Sequence, residues 1–111
     1  MKLAIIGSRS ITDVNIGEYM PQDVTEIVSG GARGVDTLAK NYAEKIGLKY
    51  TEFLPDYNRY KRGAPIKRNV EIAEYSDAVL AFWDGKSNGT SRTIKLFQER
   101  NKPVILITIE K

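Results

Sequence analysis

The sequence contains no cysteine and no histidine among its 111 residues. The absence of cysteine excludes disulfide bonds, thiolate catalysis and cysteine-ligated metal sites. The absence of histidine excludes His-dependent catalytic triads, imidazole general bases and nearly all zinc sites. Any catalysis therefore has to use carboxylates, hydroxyls, amides, lysines or arginines, and we predict neither a metal nor a cofactor.

Long apolar runs are also missing. The apolar stretch near the amino terminus, residues 3–6, is too short for the core of a signal peptide, and no stretch approaches the length of a membrane span. These absences predict a cytoplasmic protein with no membrane partner. A chain of 111 residues with 41% hydrophobic residues is typical of a single domain with one core, so we predict one domain over residues 1–111.

Positive charge is concentrated in one segment. Residues 57–68 hold five basic residues and no acidic one, which exceeds the net charge of +3 for the whole chain. With Tyr57 and Tyr60 interleaved, this composition is typical of a surface that binds single-stranded nucleic acid. The alternatives are a solvated loop and a loop that folds over a small phosphate ligand.

Short apolar runs alternate with helical periodicities along the chain. The pattern predicts strands at residues 2–6, 25–29, 48–54, 78–83 and 104–109, and helices over 15–20, over 34–46, from Pro65 onward and around 94–97. Segment 56–63 is predicted to be a loop. Apolar strands alternating with helices favour a three-layer α/β/α Rossmann-like fold with five parallel strands in the order 3-2-1-4-5. Its crevice should lie at the carboxyl ends of strands one and four.

A glycine-rich turn joins the second predicted strand to its helix, in the segment Ser29-Gly-Gly-Ala-Arg-Gly-Val-Asp36. Gly30 and Gly31 allow close approach of a ligand, and the planar guanidinium of Arg33 suits a phosphate. The helix start adds backbone N–H groups that favour anions. The spacing is neither G-x-G-x-x-G nor a Walker A loop. The alternatives are that the glycines only form a turn, and that Arg33 is a solvated surface arginine or a partner of Asp36.

Three other segments should face the same crevice: Gly7-Ser8-Arg9, Arg68-Asn69 and the loop over residues 84–90. Asp84 and Asp36 are candidate catalytic carboxylates, with a loop-organising Asp84 and a helix-stabilising Asp36 as alternatives. The predicted ligand-binding residues are Gly7, Ser8, Arg9, Ser29, Gly30, Gly31, Ala32, Arg33, Asp36, Arg68, Asn69, Trp83, Asp84, Gly85, Ser87, Gly89 and Thr90.

These motifs resemble those of one superfamily. Residues 29–36 resemble the S-G-x-A-R-G-[IV]-D signature of the DprA/Smf proteins, and Arg68-Asn69 resembles their R-N pair. Residues 84–90 resemble the Gly-Thr loop of the LOG cytokinin-activating enzymes. Together, over nearly the whole chain, they are similar to the SLOG superfamily, in particular its small stand-alone YspA-like branch.

The resemblance implies a Rossmann-like fold and a nucleotide or nucleotide-derived ligand, such as a nucleoside monophosphate or an ADP-ribose-like compound. It places phosphoribohydrolases and single-stranded DNA-binding proteins of the DprA type among the relatives. Because LOG-type relatives often pair, it also implies a homodimer.

One position departs from the enzymes of the superfamily. The LOG motif runs P-G-G-x-G-T-x-x-E, but here Thr93 occupies the glutamate position and Lys86-Ser87-Asn88 replaces P-G-G. A hydroxyl cannot stabilise a ribosyl oxocarbenium ion as a carboxylate does. We therefore expect ligand binding, with phosphate on Ser8, Arg9, Gly31, Arg33, Gly89 and Thr90. A phosphoribohydrolase with a displaced carboxylate, and nucleic-acid binding through residues 57–68, are the alternatives.

Overall fold

The computed structural model describes residues 1–109, and these form a five-stranded parallel sheet. The strands are β1 (Lys2–Gly7), β2 (Glu26–Ser29), β3 (Lys49–Glu52), β4 (Ala78–Trp83) and β5 (Val104–Thr108). Their order is β3-β2-β1-β4-β5, and every neighbouring pair is parallel. The predicted fold class and strand order are therefore confirmed, and the order reverses between β1 and β4.

Helices cover both faces of the sheet. They are α1 (Val35–Ile46), α2 (Tyr57–Tyr60), α3 (Ala64–Tyr75) and α4 (Asn88–Glu99), with 3₁₀ turns at Ile16–Tyr19 and Lys61–Gly63. Helix α1 packs on β1, β2 and β3, whereas α4 packs on β4 and β5 from the other side, next to α3. Within residues 1–109, no helix combines the length and apolar character needed to cross a membrane.

The central strands are buried on both faces. Successive side chains of β1 point to opposite sides of the sheet, so Leu3 and Ile5 join the core beneath α1, and Ala4 and Ile6 join the core beneath α3 and α4. Burial of apolar surface stabilises the fold by roughly 25 cal/mol per Å². These two cores hold the sheet in place, and the loops that follow the carboxyl ends of its strands extend from it.

Three local predictions were wrong in detail. Residues 56–63 are not a loop, because the carboxylate of Asp56 accepts the backbone N–H of Arg59 at 3.2 Å and caps α2. The third strand is shorter than predicted, since β3 is an edge strand whose ladder with β2 ends at Glu52. Residues 15–20 hold only one 3₁₀ turn, because Pro21 leaves too little chain for an α-helix.

Candidate functional site

A cleft of about 430 Å³ opens at the carboxyl edge of the sheet, where the strand order reverses. The ends of β1, β2 and β4 meet there, and α3 and α4 form its walls. Eleven of the predicted ligand-binding residues line the cleft: Gly7, Arg9, Gly30, Ala32, Asp36, Arg68, Asn69, Asp84, Ser87, Gly89 and Thr90. The four segments predicted to converge therefore do meet around one cavity.

Five lining residues were missed by the sequence reasoning: Ile6, Ser10, Pro65, Ile72 and Thr93. Helical spacing could have revealed some of them. Pro65 and Ile72 are seven residues apart on α3, with Arg68 and Asn69 between them, so all four share one helix face. Thr93 follows Gly89 by four residues on α4 and shares its face in the same way.

The other six predicted residues lie outside the lining. Gly31 faces a neighbouring polar groove instead, and Arg33 and Gly85 are exposed. Ser8 and Ser29 are buried, and their hydroxyl groups serve the protein itself: the Ser8 hydroxyl accepts the N–H of Asp84 at 3.1 Å, and Ser29 donates to the carbonyl of Ile5 at 2.9 Å.

The indole of Trp83 likewise has an internal partner. Its N–H donates to the carbonyl of Ser87 at 3.0 Å, which ties the end of β4 to the start of α4. The ring is half-buried, and Trp83 does not line the cleft. The ligand-binding role of Trp83 therefore stays a prediction without a contact in the cleft to support it.

The carboxylate of Asp84 organises the loop after β4. One oxygen accepts the backbone N–H groups of Lys86 and Ser87, both at 2.8 Å, and the other accepts the hydroxyl of Ser10 at 2.9 Å. These hydrogen bonds hold the pKa of Asp84 at about 2. A carboxylate with so low a pKa is a poor general base or acid near neutral pH, so its contacts favour the loop-organising alternative.

The side chain of Arg68 lies across the carboxyl end of β2. One terminal guanidinium N–H donates to the carbonyl of Gly30 at 2.6 Å, and Nε donates to the side chain of Asn69 at 2.8 Å. A Cβ atom on Gly30 would lie 2.5 Å from that terminal nitrogen. A side chain at position 30 would thus force the guanidinium end of Arg68 to shift.

Asp36 lies buried beside this arginine, with 7% of its surface exposed. Its carboxylate accepts the N–H of Ala32 at 3.1 Å. Burial raises the pKa of Asp36, and this effect outweighs the opposing hydrogen bond from Ala32 and the charge of Arg68. The sequence analysis considered only the helix dipole at Asp36 and did not predict this burial. Of the two carboxyl groups that line the cleft, Asp36 therefore takes up a proton more readily than Asp84.

Two arginines, Arg9 and Arg68, line the cleft together with the two carboxyl groups of Asp36 and Asp84. Arg9 is exposed at the mouth, and Arg68 is half-buried. Burial lowers the pKa of Arg68, and the nearby charge of Arg9 lowers it further, against the opposing charge of Asp36. Two guanidinium groups that influence each other across the mouth can attract one anionic group between them.

The start of α4 is a second feature of the cleft that favours an anion. Gly89 and Thr90 belong to the first turn of α4, whose backbone N–H groups have no partner within the helix, and no side chain caps it. Both residues line the cleft. Such a helix start binds phosphate or carboxylate readily, because the N–H groups and the helix dipole both favour negative charge.

The start of α1 is less accessible to a ligand than the sequence suggested. Gly34 has a φ of 79°, and a Cβ atom there would lie 2.9 Å from the carbonyl oxygens of Arg9 and Ile11. The loop after β1 therefore packs against the entry to this helix. The turn after β2 contributes to the cleft mainly through Gly30, Ala32 and Asp36.

Thr93 stands at the position where LOG-type enzymes carry glutamate. It is buried in the wall of the cleft, and its hydroxyl donates to the carbonyl of Gly89 at 3.0 Å. Within residues 1–109, no group of three or more acidic side chains is arranged to hold a metal ion. The cleft thus combines two arginines, two carboxyl groups, an apolar wall and few groups suited to proton transfer.

The comparison with known proteins shows a relative in a bacteriophage. The Gene 61 protein of Mycobacterium phage D29 is 34% identical over 85 residues, and the match covers 71% of this chain and 68% of the phage protein. Its name states no activity. No family model and no solved structure matches the chain.

Proposed function

The chain belongs to the same family as the Gene 61 protein of Mycobacterium phage D29, and we propose that it binds a nucleotide or a nucleotide-derived small molecule. The observation that carries this proposal is the cleft at the switch point of the sheet, which is lined by Arg9, Arg68 and the start of α4 and has an apolar wall. Open parallel sheets bind ligands at this position, outside the carboxyl ends of the strands. The motif resemblance to the SLOG superfamily supports the same ligand class.

The phosphate of the ligand would lie at the start of α4. Gly89 and Thr90 offer backbone N–H groups there, and Arg9 stands at the open side of the cleft. A charge-assisted hydrogen bond of this kind contributes about 1.5–3 kcal/mol. Of the residues predicted to hold phosphate, these three line the cleft, so they carry the proposal.

The base and sugar would lie along α3. Ile6, Pro65 and Ile72 present apolar surface to the cavity, and Arg68 and Asn69 lie on the same helix face. A volume of about 430 Å³ lies within the roughly 300–1,000 Å³ typical of small-molecule pockets. A nucleoside monophosphate fits this size and polarity, and an ADP-ribose-like compound would extend toward the exposed Arg9.

A second candidate function is hydrolysis of the N-glycosidic bond of a nucleoside monophosphate. The raised pKa of Asp36, caused by burial, favours this residue over Asp84 as its acid or base. Thr93 gives it no support, because a hydroxyl without a neighbouring base is a weak nucleophile. We therefore place binding first.

Calorimetric titration with nucleoside mono- and diphosphates and with ADP-ribose tests the proposed binding. We expect Arg9→Ala to weaken binding of the best ligand about 10- to 100-fold, as loss of a charge-assisted contact does. Arg33→Ala is the matched control, because Arg33 is exposed but does not line the cleft. Absence of binding at millimolar concentration, or an equal loss in both variants, would overturn the proposal.

A further inference from the structure

The charged side chains that line the cleft nearly cancel one another. Arg9 and Arg68 each carry a positive charge, and Asp36 and Asp84 supply two carboxyl groups. The formal charge of the lining is therefore zero when both carboxyl groups are ionised, and plus one when the buried Asp36 carries a proton. A lining of this charge can balance at most one negative charge on a ligand.

The negative charge of Asp84 is not neutralised by a cation of the protein. Its carboxylate accepts hydrogen bonds from three neutral donors, which are the backbone N–H groups of Lys86 and Ser87 and the hydroxyl group of Ser10. Within residues 1–109, no salt bridge includes Asp84. The side chain of Lys86 is exposed and does not line the cleft. The charge of Asp84 therefore acts on whatever anion binds nearby.

Asp84 and the proposed phosphate position share the start of α4. Ser87 directly precedes the helix, and its N–H already donates to the Asp84 carboxylate at 2.8 Å. The N–H groups that remain for a phosphate are those of the first turn, which contains Gly89 and Thr90. Because two residues of backbone span at most about 7 Å, the N–H of Gly89 lies within about 10 Å of the carboxylate. This separation is close to the screening length of about 8 Å at physiological salt.

We propose that Asp84 is a specificity-determining residue, through which the cleft selects a nucleotide whose phosphate is a diester over one that ends in a phosphomonoester. This inference rests on the proposed function. A phosphodiester carries one negative charge, whereas a phosphomonoester approaches two near neutral pH. The dianion loses more hydration on entering the cleft, and only positive charge that is not already balanced compensates for that loss. With Asp84 ionised, the two arginines leave too little such charge for a dianion.

The two carboxyl groups of the cleft respond differently to an anion. Burial already raises the pKa of Asp36, and a neighbouring negative charge raises the pKa of a carboxyl group further. Asp36 can therefore take up a proton as an anion binds, which removes its repulsion. The hydrogen bonds of Asp84 hold its pKa at about 2, so this group stays ionised. The selection against a second negative charge is thus assigned to Asp84.

Calorimetric titration of the full chain with matched ligands tests this selection. The probes are the 5′-monophosphates of adenosine, guanosine, cytidine and uridine, each compared with its phosphate methyl ester. The monophosphate gains its second negative charge around pH 6, whereas the ester keeps a single charge. At about pH 5 the ratio of the two dissociation constants therefore measures the effect of the methyl group, and at about pH 8 it adds the effect of charge.

We expect the preference of the wild type for the ester to rise about three- to tenfold between these two pH values, because the monophosphate then places a second negative charge near Asp84. Asp84→Asn should abolish this rise, since the amide oxygen can still accept the N–H groups of Lys86 and Ser87 but has no charge. Asp77→Asn is the matched control. Asp77 also accepts a backbone N–H, that of Lys2 at 2.7 Å, but lies outside the lining of the cleft.

The outcomes separate this inference from the proposed function. A wild type that binds both ligands with the same ratio at the two pH values overturns the inference and leaves nucleotide binding in place. A rise that persists in Asp84→Asn assigns the selection to another group and overturns it as well. Absence of binding by every probe overturns the proposed function together with the inference. The wild-type ratio requires no substitution, and Asp84→Ser, whose hydroxyl group can also accept a loop N–H, serves if Asp84→Asn does not fold.

Discussion

The guanidinium group of Arg68 occupies the space that a side chain at position 30 would need. We expect Gly30→Ala to displace it, because the added Cβ atom would lie 2.5 Å from its terminal nitrogen. Because the atoms that must move are the end of the flexible Arg68 side chain, stability should fall only modestly. The displaced arginine should also weaken nucleotide binding. Thermal unfolding and calorimetric titration measure the two effects.

Gly63→Ala is the control for that substitution. Gly63 has φ of −81°, and a Cβ atom there meets open space. Its stability should change little, and its affinity for nucleotide should equal that of the wild type. If Gly30→Ala also binds nucleotide with unchanged affinity, Arg68 does not contribute to the ligand site.

Asp36 makes stability depend on pH in a defined direction. Burial raises its pKa in the folded state, so the folded chain binds this proton more tightly than the unfolded chain. Below the unfolded pKa the group is protonated in both states and costs nothing. As pH rises through the folded pKa, a charge must be buried and stability falls.

Asp36→Asn removes that charge. We expect the free energy of unfolding of the variant, minus that of the wild type, to rise as the pH increases above the ordinary aspartate pKa of about 4. Urea titrations at several pH values measure this difference, in which the contributions of the other carboxylates cancel. A difference that is constant or falls with pH would contradict the raised pKa.

For single residues, the sequence predicted which ones lie near the cleft better than it predicted which way their side chains point. Arg68 and Asn69 do line the cleft, as their motif indicated. Ser8 and Ser29 were expected there too, yet their hydroxyl groups turn inward to backbone partners. A hydroxyl group satisfies a nearby backbone atom as readily as a ligand, and a sequence does not show which way it turns.

Among the elements, the basic and aromatic segment formed by α2 and the following 3₁₀ turn is the most exposed. Tyr57 has 57% of its surface exposed, and Arg59 and Lys67 lie 5.3 and 5.9 Å from the ring of Tyr60. These contacts hold the cations at the surface, close to the mouth of the cleft but outside its lining.

We expect charge reversal in this segment, Lys61→Glu with Arg62→Glu, to leave mononucleotide affinity within about twofold at physiological salt. Both side chains are exposed and outside the cleft, and salt screens such charges beyond about 8 Å. Titration with mononucleotides and with oligonucleotides of increasing length measures the effect. Affinity that grows with oligonucleotide length, depends steeply on salt and is lost on reversal would instead identify a single-stranded nucleic-acid surface.

The sequence predicted a helix correctly where the segment was long enough for apolar residues to repeat at helical spacing. Helices α1, α3 and α4 each have twelve residues and show apolar residues at helical spacing. Helix α2 has four residues, too few for a period, and only its cap at Asp56 marks it. Leu48, Phe53 and Leu54 made the third strand look longer, but they lie outside the bounds of β3.

For the whole molecule, the order of apolar and amphipathic segments was sufficient to predict the sheet. Strands buried on both faces favour parallel pairing, and right-handed crossovers leave few possible strand orders. How far the two edge strands, β3 and β5, are covered could not be predicted in the same way. Both edge strands contain apolar side chains, and the exposure of Leu106 depends on where α4 lies across β5.

We expect the intact protein to release no adenine from adenosine monophosphate above the uncatalysed background. Thr93 is bonded to a backbone carbonyl, and both carboxylate oxygens of Asp84 already accept hydrogen bonds from Ser10, Lys86 and Ser87. Chromatography after prolonged incubation measures free adenine, with Asp36→Asn as the control. Release that disappears in this control would establish hydrolysis and place Asp36 among the catalytic residues.

The hydrogen bonds between the loops after β1 and β4 determine how ligands can be distinguished. Ser8 accepts from the backbone of Asp84, and Ser10 donates to its carboxylate, so the two sides of the switch point are joined before any ligand arrives. A mouth that is already assembled has little loop-ordering entropy to lose on binding. Related ligands should then enter at similar association rates, and selection among them should appear in how long each one stays.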